Sequence, residues 1–363
     1  MIHYLLLLVI YIWPFGQLLA FKPEALPFTI YLLDFAVLFL SVSLIISSKR
    51  KAILCSSVTK PLAIFLGVAM ASFLVNLNLS ATSSIPLSAL YLLRLIVYPS
   101  VFFAAKHIGF NRLKNPVIIS LGIFIVICLL QYLIFPDMRF LKNIGFDDHY
   151  YRLIGPLFDP NFTGAVFAGA SLFFIFNNSF LFSIPFIGLL ALTFSRASYL
   201  TFIIGLGIML FTHKKIKILL LLMLLGFTIC FLPKPFGEGV NLLRTTSIFS
   251  RVESWRQGAN LFIKRPILGW GYNNLRGVNN SRYQVDNSFI FILATTGIFG
   301  FLALVNLIFR IFNNPFNNGM KLIAFSILIH SLFNNSLFYI WISALFWFTL
   351  GLAQEKIKEY KKV

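Results

Sequence analysis

Apolar segments close to the length of a membrane span recur along the whole chain, separated by short polar stretches. A helix needs about 20 apolar residues to cross the hydrocarbon core of a bilayer. About twelve segments are candidates: 4–20, 27–47, 61–79, 85–105, 116–136, 160–176, 179–194, 197–212, 217–233, 287–309, 321–336 and 337–354. The pattern predicts an all-α fold, in which residues 1–363 form a single transmembrane domain of about twelve helices.

One polar segment differs from the short connections between the other spans. Residues 232–286, between predicted spans nine and ten, form by far the longest loop. Within it, apolar residues recur at spacings of three and four from Val252 to Phe262, which predicts a helix lying along the membrane surface. Pro266 and Gly269 then end that helix. We therefore expect one long extracytoplasmic loop that contains short helices.

Composition supports an integral membrane protein. Hydrophobic residues make up 59% of the chain and charged residues 11%, whereas a soluble domain has about 25% charged residues. The apolar run 4–20 lacks a basic leader and a cleavage site, so we interpret it as the first span and not as a signal peptide. Cys55, Cys128 and Cys230 are scattered and the histidines are isolated, which favours neither a disulfide framework nor a metal site. We expect no metal and no cofactor.

The net charge of +19 raises the question of nucleic-acid binding. However, the lysines are concentrated in short loops, and no soluble basic domain exists to hold a duplex. This distribution predicts that both termini are cytoplasmic, because most basic loops then fall on the inner side, as the positive-inside rule requires. The long loop opposes this trend, because eight lysines and arginines at 232–285 face only Glu238 and Glu253. That loop could bind lipid headgroups or an anionic substrate at the outer face.

Two arginines stand at the predicted outer ends of apolar segments. Arg196 lies among hydroxyl side chains and could be a snorkelling arginine in a tight turn. Arg152 could pair with one of the nearby aspartates, among them Asp159. Together with the basic loop, the two could instead cradle a phosphate, because the planar guanidinium fork matches two phosphate oxygens. Asn161, at the start of the following helix, would add a helix N-terminus that favours an anion.

Acidic residues near the membrane are few. Asp286 directly precedes the tenth span, where it could be the N-cap of that helix or a general base beside the phosphate site. Glu253 is the reserve candidate for the base. Asp34 and Arg94 lie deeper, about 10 and 14 Å from the outer ends of their spans. They could form a buried ion pair that ties two helices, or line a path for lipid or sugar.

Several of these residues fall in runs that resemble a known family. The runs are Arg152-Leu-Ile-Gly-Pro-Leu-Phe-Asp-Pro-Asn-Phe-Thr-Gly164, Leu192-Thr-Phe-Ser-Arg-Ala-Ser198, Gly269-Trp-Gly-Tyr272, Asp286-Asn-Ser-Phe-Ile290 and Thr296-Gly-Ile-Phe-Gly300. In this order they resemble the bacterial O-antigen ligase and polymerase superfamily. The resemblance covers about residues 152–304. It implies a glycosyltransferase of the bacterial cytoplasmic membrane that uses a polyprenyl-pyrophosphate-linked glycan and needs neither a nucleotide sugar nor a metal.

The resemblance also implies roles for individual residues. Arg152 and Arg196 match the family's two upstream arginines, and Arg251 matches the arginine before the tryptophan of the loop helix. The family's ligases usually carry histidine before the Asn-Ser pair, where this chain has Asp286, and this departure favours a polymerase over a ligase. We expect Asp286, Arg196 and Arg152 to be catalytic. The expected substrate-binding residues are Arg251, Arg256, Glu253, Asn161 and Asn287.

The expected partners are the lipid-linked oligosaccharide, a glycan acceptor, membrane lipids and proteins of polysaccharide assembly. Nucleic acid is not expected. A lipid-glycan flippase is the alternative from another class, because it would bind the same anion without transferring a bond. Such a transporter should have polar sites near the middle of the membrane, for which Asp34, Arg94 and His330 are the candidates.

Overall fold

The computed structural model describes residues 1–23, 28–48, 50, 54, 56–79, 84–210, 215–232, 238–276, 283–313 and 319–354. Its α-helices are α1 (Ile2–Ile12), α2 (Leu32–Ile46), α3 (Thr59–Val75), α4 (Ile85–Val97), α5 (Ser100–Ile108), α6 (Phe110–Ile134), α7 (Pro160–Phe176), α8 (Phe180–Leu192), α9 (Arg196–Met209), α10 (Lys215–Phe231), α11 (Thr246–Lys264), α12 (Ser288–Phe312), α13 (Gly319–His330) and α14 (Ile340–Ala353). Short 3₁₀ helices cover Trp13–Leu19, Leu77–Leu79, Arg139–Ile144, Gly155–Leu157, Glu238–Val240 and Ser336–Phe338. The described strands, β1 (Ala20–Phe21) and β2 (Ile30–Tyr31), pair antiparallel, with Ala20 opposite Tyr31.

Each predicted span overlaps an apolar helix, which confirms an all-α, multi-pass architecture. Within the described residues, four helical segments are long and apolar enough to cross a membrane: Ile2–Leu19, Ile85–Ile108, Phe110–Ile134 and Ser288–Phe312. The other apolar helices have 10–17 residues, shorter than the roughly 20 residues of a full span. The helix predicted around Val252 to Phe262 is also present as α11, which begins six residues before Val252 and ends at Lys264.

Asp34 and Arg94 form the buried ion pair that the sequence allowed. The Arg94 guanidinium donates from Nη2 to Asp34 Oδ2 at 2.6 Å and from Nε to Asp34 Oδ1 at 3.0 Å. The Tyr98 hydroxyl donates to Asp34 Oδ1 at 2.9 Å, and Tyr31 N donates to Oδ2 at 3.0 Å. The pair therefore ties α2 to α4, and its charges are offset by a bidentate contact with additional hydrogen bonds.

The segment after α11 docks on a kink in α12. Gly297 has a φ of +67°, and a Cβ at this position would lie 2.2 Å from the carbonyl oxygen of Ile267. Across this contact, Ile298 N donates to Pro266 O at 2.8 Å and Trp270 N donates to Ala294 O at 3.1 Å. Glycine is required here because only a residue without Cβ allows both the kink and the close approach. The contact fixes α11 beside α12.

Candidate active site

The Asn-Ser pair at the start of α12 anchors this helix to the end of α13. Asn287 is the N-cap, because its Oδ1 accepts hydrogen bonds from the backbone nitrogens of Phe289 at 2.8 Å and Ile290 at 3.1 Å. Its Nδ2 donates to Leu332 O at 2.7 Å. Ser288 N donates to Ser331 O at 3.0 Å. The capping role considered for Asp286 is therefore wrong, and Asn287 is engaged within the fold through both its oxygen and its nitrogen.

Asp286 is consequently left with a carboxylate that does not cap a helix. Its backbone nitrogen donates to Ser254 Oγ of α11 at 2.9 Å. The Gln284 amide donates to Asp286 Oδ1 at 3.5 Å, a long and weak contact. Burial raises the pKa of this half-buried carboxyl, while the charge of Arg251 opposes that shift. The Asp286 carboxylate is therefore a stronger base than an ordinary aspartate, and the charge of Arg251 acts on it without forming a salt bridge.

Arg251 lies on α11 about one turn before Ser254. Its Nη2 donates to Asn334 Oδ1 at 3.5 Å, which is also a long contact, and it forms no salt bridge with a carboxylate in the described part of the chain. Burial lowers the pKa of the Arg251 guanidinium, and the charges of Asp286 and Asp159 partly restore it. This cation is thus held between a neutral amide and distant carboxylates, which leaves it able to bind an anion.

Arg152 is 6% exposed and is held by backbone carbonyls. Its Nε donates to Thr193 O at 2.9 Å and its Nη2 to Phe194 O at 3.2 Å. Burial, and then the nearby charge of Arg244, lower the pKa of Arg152 to about 9, so it remains cationic at neutral pH. The salt bridge considered for Arg152 is not formed with any described aspartate.

A strained turn presents one of these carbonyls. Phe194 has a φ of +49°, which costs roughly 1–2 kcal/mol for a residue with a Cβ. Its oxygen accepts from Arg152 and, at 3.4 Å, from Nη2 of Arg244. The turn therefore gathers two guanidinium groups at the start of α9.

Arg196 holds the long loop against α9. Its Nη1 donates to the carbonyl oxygens of Leu242 at 3.1 Å and Arg244 at 2.8 Å, and its Nη2 donates to the hydroxyl of Ser247. The side chain is half-buried and contacts protein, so it does not simply snorkel towards water. Three hydrogen bonds to one loop indicate that Arg196 orders the chain leading into α11.

The remaining predicted site residues lie in two places. Asn161 lies in the first turn of α7, where its Oδ1 accepts from Ser195 Oγ at 2.8 Å and its carbonyl accepts from Ser198 Oγ of α9 at 2.9 Å. Glu253 and Arg256 pair with each other at 3.8 Å on the exposed side of α11. The structure thus brings Asp286, Arg251, Arg152 and Arg196 into one region and leaves Glu253 and Arg256 outside it.

Three further groups of this region were not predicted as site residues. Arg244 stood out in the sequence only as one of the basic residues of the loop. His330 was noted only as a possible polar site within the membrane, but its Nε2 lies 3.2 Å from Asn334 Nδ2, beside Arg251. His149 is 8% exposed, and its Nε2 has no hydrogen-bond partner among the described residues. Burial, followed by Arg152 and Arg244, lowers the pKa of His149 to about 3, so it is neutral at physiological pH.

Within the described ranges, no three His, Cys, Asp or Glu side chains are arranged to hold a metal ion. The polar groups that converge are guanidinium, imidazole and amide groups together with the carboxylates of Asp286 and Asp159. This set suits an anionic ligand and a proton acceptor.

The fold and this site define a multi-pass helical membrane protein with a cationic cluster at one end of the bundle. This cluster consists of Arg152, Arg196, Arg244 and Arg251. Residues 180–305 match the model of a family described as O-antigen ligase. This match confirms the resemblance to the bacterial O-antigen ligase and polymerase superfamily, whose members carry out glycan transfer. It includes Arg196, Arg251 and Asp286, whereas Arg152 and His330 lie outside it. No curated protein matches the chain.

Proposed function

We propose that the protein transfers a polyprenyl-pyrophosphate-linked glycan to a sugar hydroxyl at the outer face of a bacterial cytoplasmic membrane. The observation that carries this proposal is the half-buried carboxylate of Asp286, which does not cap α12 and lies within the field of the Arg251 charge. Burial raises the pKa of Asp286 towards the range that suits a general base. The family match at 180–305 supports glycan transfer as the reaction type.

The proposed step forms one glycosidic bond and breaks one glycosyl phosphate bond. The hydroxyl oxygen of the acceptor sugar attacks the anomeric carbon of the donor, and the bond from that carbon to the pyrophosphate oxygen breaks. Asp286 takes the hydroxyl proton, and polyprenyl pyrophosphate leaves with the electron pair. The transition state is oxocarbenium-like. The atoms balance without an oxidant, a reductant or a second substrate beyond donor and acceptor.

The arginines would act on the leaving group. Arg251 is the arginine whose charge acts on Asp286, and its described hydrogen bond to Asn334 is long, so it would bind the pyrophosphate directly. Arg152 and Arg244 are engaged with carbonyls, but their charges would still favour an anion through the field of the site. Arg196 would contribute by ordering the loop that carries α11. Each role is strengthened by burial, because charges interact more strongly away from water.

Two related activities remain to be distinguished within this proposal. Asp286 in place of the histidine usual in ligases favours a polymerase, which joins repeat units. The family description at 180–305 favours a ligase, which attaches the finished glycan to a lipid or another acceptor. We propose the polymerase because the substituted residue is the one assigned to proton transfer.

The flippase alternative is less well supported by the polar residues within the membrane. Two of its three candidates, Asp34 and Arg94, pair with each other at 2.6 Å. The third, His330, is engaged beside Arg251 at the candidate active site. None of the three is left as an unpaired polar site of the kind that a transporter needs near the membrane centre.

The glycan made by a deletion strain tests the proposed activity. If the protein is a polymerase, the surface glycan of the deletion strain should be limited to single repeat units. A plasmid copy of the gene should restore the full-length glycan. Full-length polymer that stays on the lipid carrier would indicate the ligase. Lipid-linked units trapped on the inner leaflet would contradict glycan transfer and support the flippase.

A further inference from the structure

A line of four side chains runs from the end of α13 to Arg251. His330 Nδ1 lies 2.6 Å from Ser336 Oγ, and His330 Nε2 lies 3.2 Å from Asn334 Nδ2. Asn334 Oδ1 in turn lies 3.5 Å from Arg251 Nη2. His330 and Ser336 are both 0% exposed, and Asn334 is 8% exposed. These contacts are shielded from water, so each partner must be satisfied within the protein.

Arg251 determines the direction of every hydrogen bond in this line. A guanidinium can only donate, so Asn334 must present its oxygen to Arg251 and its amide nitrogen to His330. The amide nitrogen also only donates, so Nε2 of His330 must accept and carries no proton. The proton of the neutral ring is then on Nδ1, which donates to the Ser336 hydroxyl. One tautomer of His330 thus agrees with one orientation of Asn334.

The surroundings of His330 support a fixed ring. Ser198 Oγ lies 3.4 Å from Nε2, and the Phe162 ring packs at 6.2 Å between centroids. Ser288 Oγ donates to Asn335 Oδ1 at 3.1 Å and accepts from Leu337 N at 3.2 Å, which holds the segment after His330. The imidazole is therefore held by α7, α9 and the turn anchored to α12, and it can fix Asn334 in turn.

We propose that His330 is a positioning residue, which holds the Arg251 guanidinium through Asn334 in the orientation that binds the anionic donor. This inference rests on the proposed function, in which Arg251 binds the pyrophosphate. His330 does not itself contact the reacting atoms. Its contribution is that Arg251 is already oriented before the donor arrives.

The test is a mutant cycle on transfer from lipid-linked oligosaccharide extracted from the deletion strain. His330→Phe removes the acceptor for Asn334, and we expect kcat/KM to fall roughly twofold to tenfold, the scale of one lost hydrogen bond between neutral groups. Because His330 acts through Arg251, the double variant with Arg251→Ala should be no worse than Arg251→Ala alone. His330→Gln should recover part of the activity, because its Oε1 can accept from Asn334. His107→Phe, at an exposed position of α5, is the matched control.

Asn334→Ala keeps the imidazole and removes only the link, so it tests the same idea if His330→Phe fails to fold. It should show the same non-additivity with Arg251→Ala. Losses that add in either double variant would overturn the positioning role. If Arg251→Ala is impaired while His330→Phe and Asn334→Ala are normal, only this inference fails. Normal transfer by Arg251→Ala would instead remove Arg251 from the proposed function, and the positioning role with it.

Discussion

At the scale of single residues, Asp286 and Asn287 divide two tasks between them. Asn287 caps α12 through Oδ1 and binds the turn after α13 through Nδ2. Asp286 therefore carries a carboxylate that is free of helix capping and that lies within the field of the Arg251 charge. Aspartate and asparagine are almost equally good N-caps, so the sequence could not assign the cap to one of the two neighbours. The assignment depends on where the end of α13 lies.

Arg251→Ala should change the pH dependence of transfer. The charge of Arg251 lowers the pKa of Asp286, which burial raises. Without that cation the protonated form of Asp286 is favoured, so its pKa should rise further. Since the base must be unprotonated, the acid limb of the kcat/KM profile should move to higher pH. Arg139→Ala, which removes an exposed arginine paired with Asp137, should leave the limb in place.

In Arg251→Ala, the acid limb of the kcat/KM profile could instead stay in place or move to lower pH. Either result would show that the limb does not report the titration of Asp286 under the influence of Arg251. The profile must be followed with residual activity of the variant, so a sensitive radiolabelled donor is needed. The direction of the shift is the result that matters, because desolvation and the Arg251 charge act on Asp286 in opposite directions.

At the scale of elements, the parts of the site are held by contacts that no local pattern reveals. The hydrophobic runs predicted the helices, and the spacing of charges allowed for the Asp34–Arg94 pair. The sequence did not indicate that Arg152 binds the carbonyls of Thr193 and Phe194. Every residue has a backbone carbonyl, so the sequence does not show which carbonyls will accept a hydrogen bond. An arginine can donate to such carbonyls and also to carboxylates and phosphates. The sequence also did not indicate that His330 lies near Arg251. Asn334 links the two side chains, and Asn334 and Arg251 are far apart in the chain.

The ion pair between α2 and α4 yields a stability prediction. Asp34→Asn or Arg94→Gln should each leave a buried charge without its partner, at a cost of roughly 3–5 kcal/mol. The double change, Asp34→Asn with Arg94→Gln, should recover part of that loss. Thermal unfolding in detergent, followed by size-exclusion chromatography, would measure it. The pair Asp137–Arg139 is the matched control, because it has the same 2.6 Å contact but is exposed, so its removal should change stability little.

A double variant as unstable as the sum of the two single variants would contradict the energetic coupling of Asp34 and Arg94. Contributions of residues in contact are expected to be non-additive, whereas those of distant residues usually add. The double-mutant cycle therefore distinguishes two cases. In one, Asp34 and Arg94 stabilise the fold as a pair, and in the other each side chain acts independently of the other.

At the scale of the whole molecule, the cationic cluster lies at one end of the helical bundle. The ends of α9, α12 and α13 meet there with α11, and the turn holding Arg152 joins them. Placing this end at the outer face rests on the lysine distribution and is part of the proposal. The family match spans α8 to α12 and includes the loop helix. The site thus combines the matched segment with Arg152 before it and His330 after it.

Transfer by the purified protein tests the central claim most directly. Reconstituted protein is given polyprenyl-pyrophosphate-linked repeat units, and the lipid-linked products are separated by length. The account predicts that the natural sequence makes longer glycan and releases polyprenyl pyrophosphate, whereas Asp286→Asn is stable and membrane-inserted but slower by roughly a hundredfold or more. Asp286→His should keep some activity, because imidazole can also accept the proton. Near-normal turnover by Asp286→Asn, or movement of the donor across the bilayer without any longer product, would contradict the account.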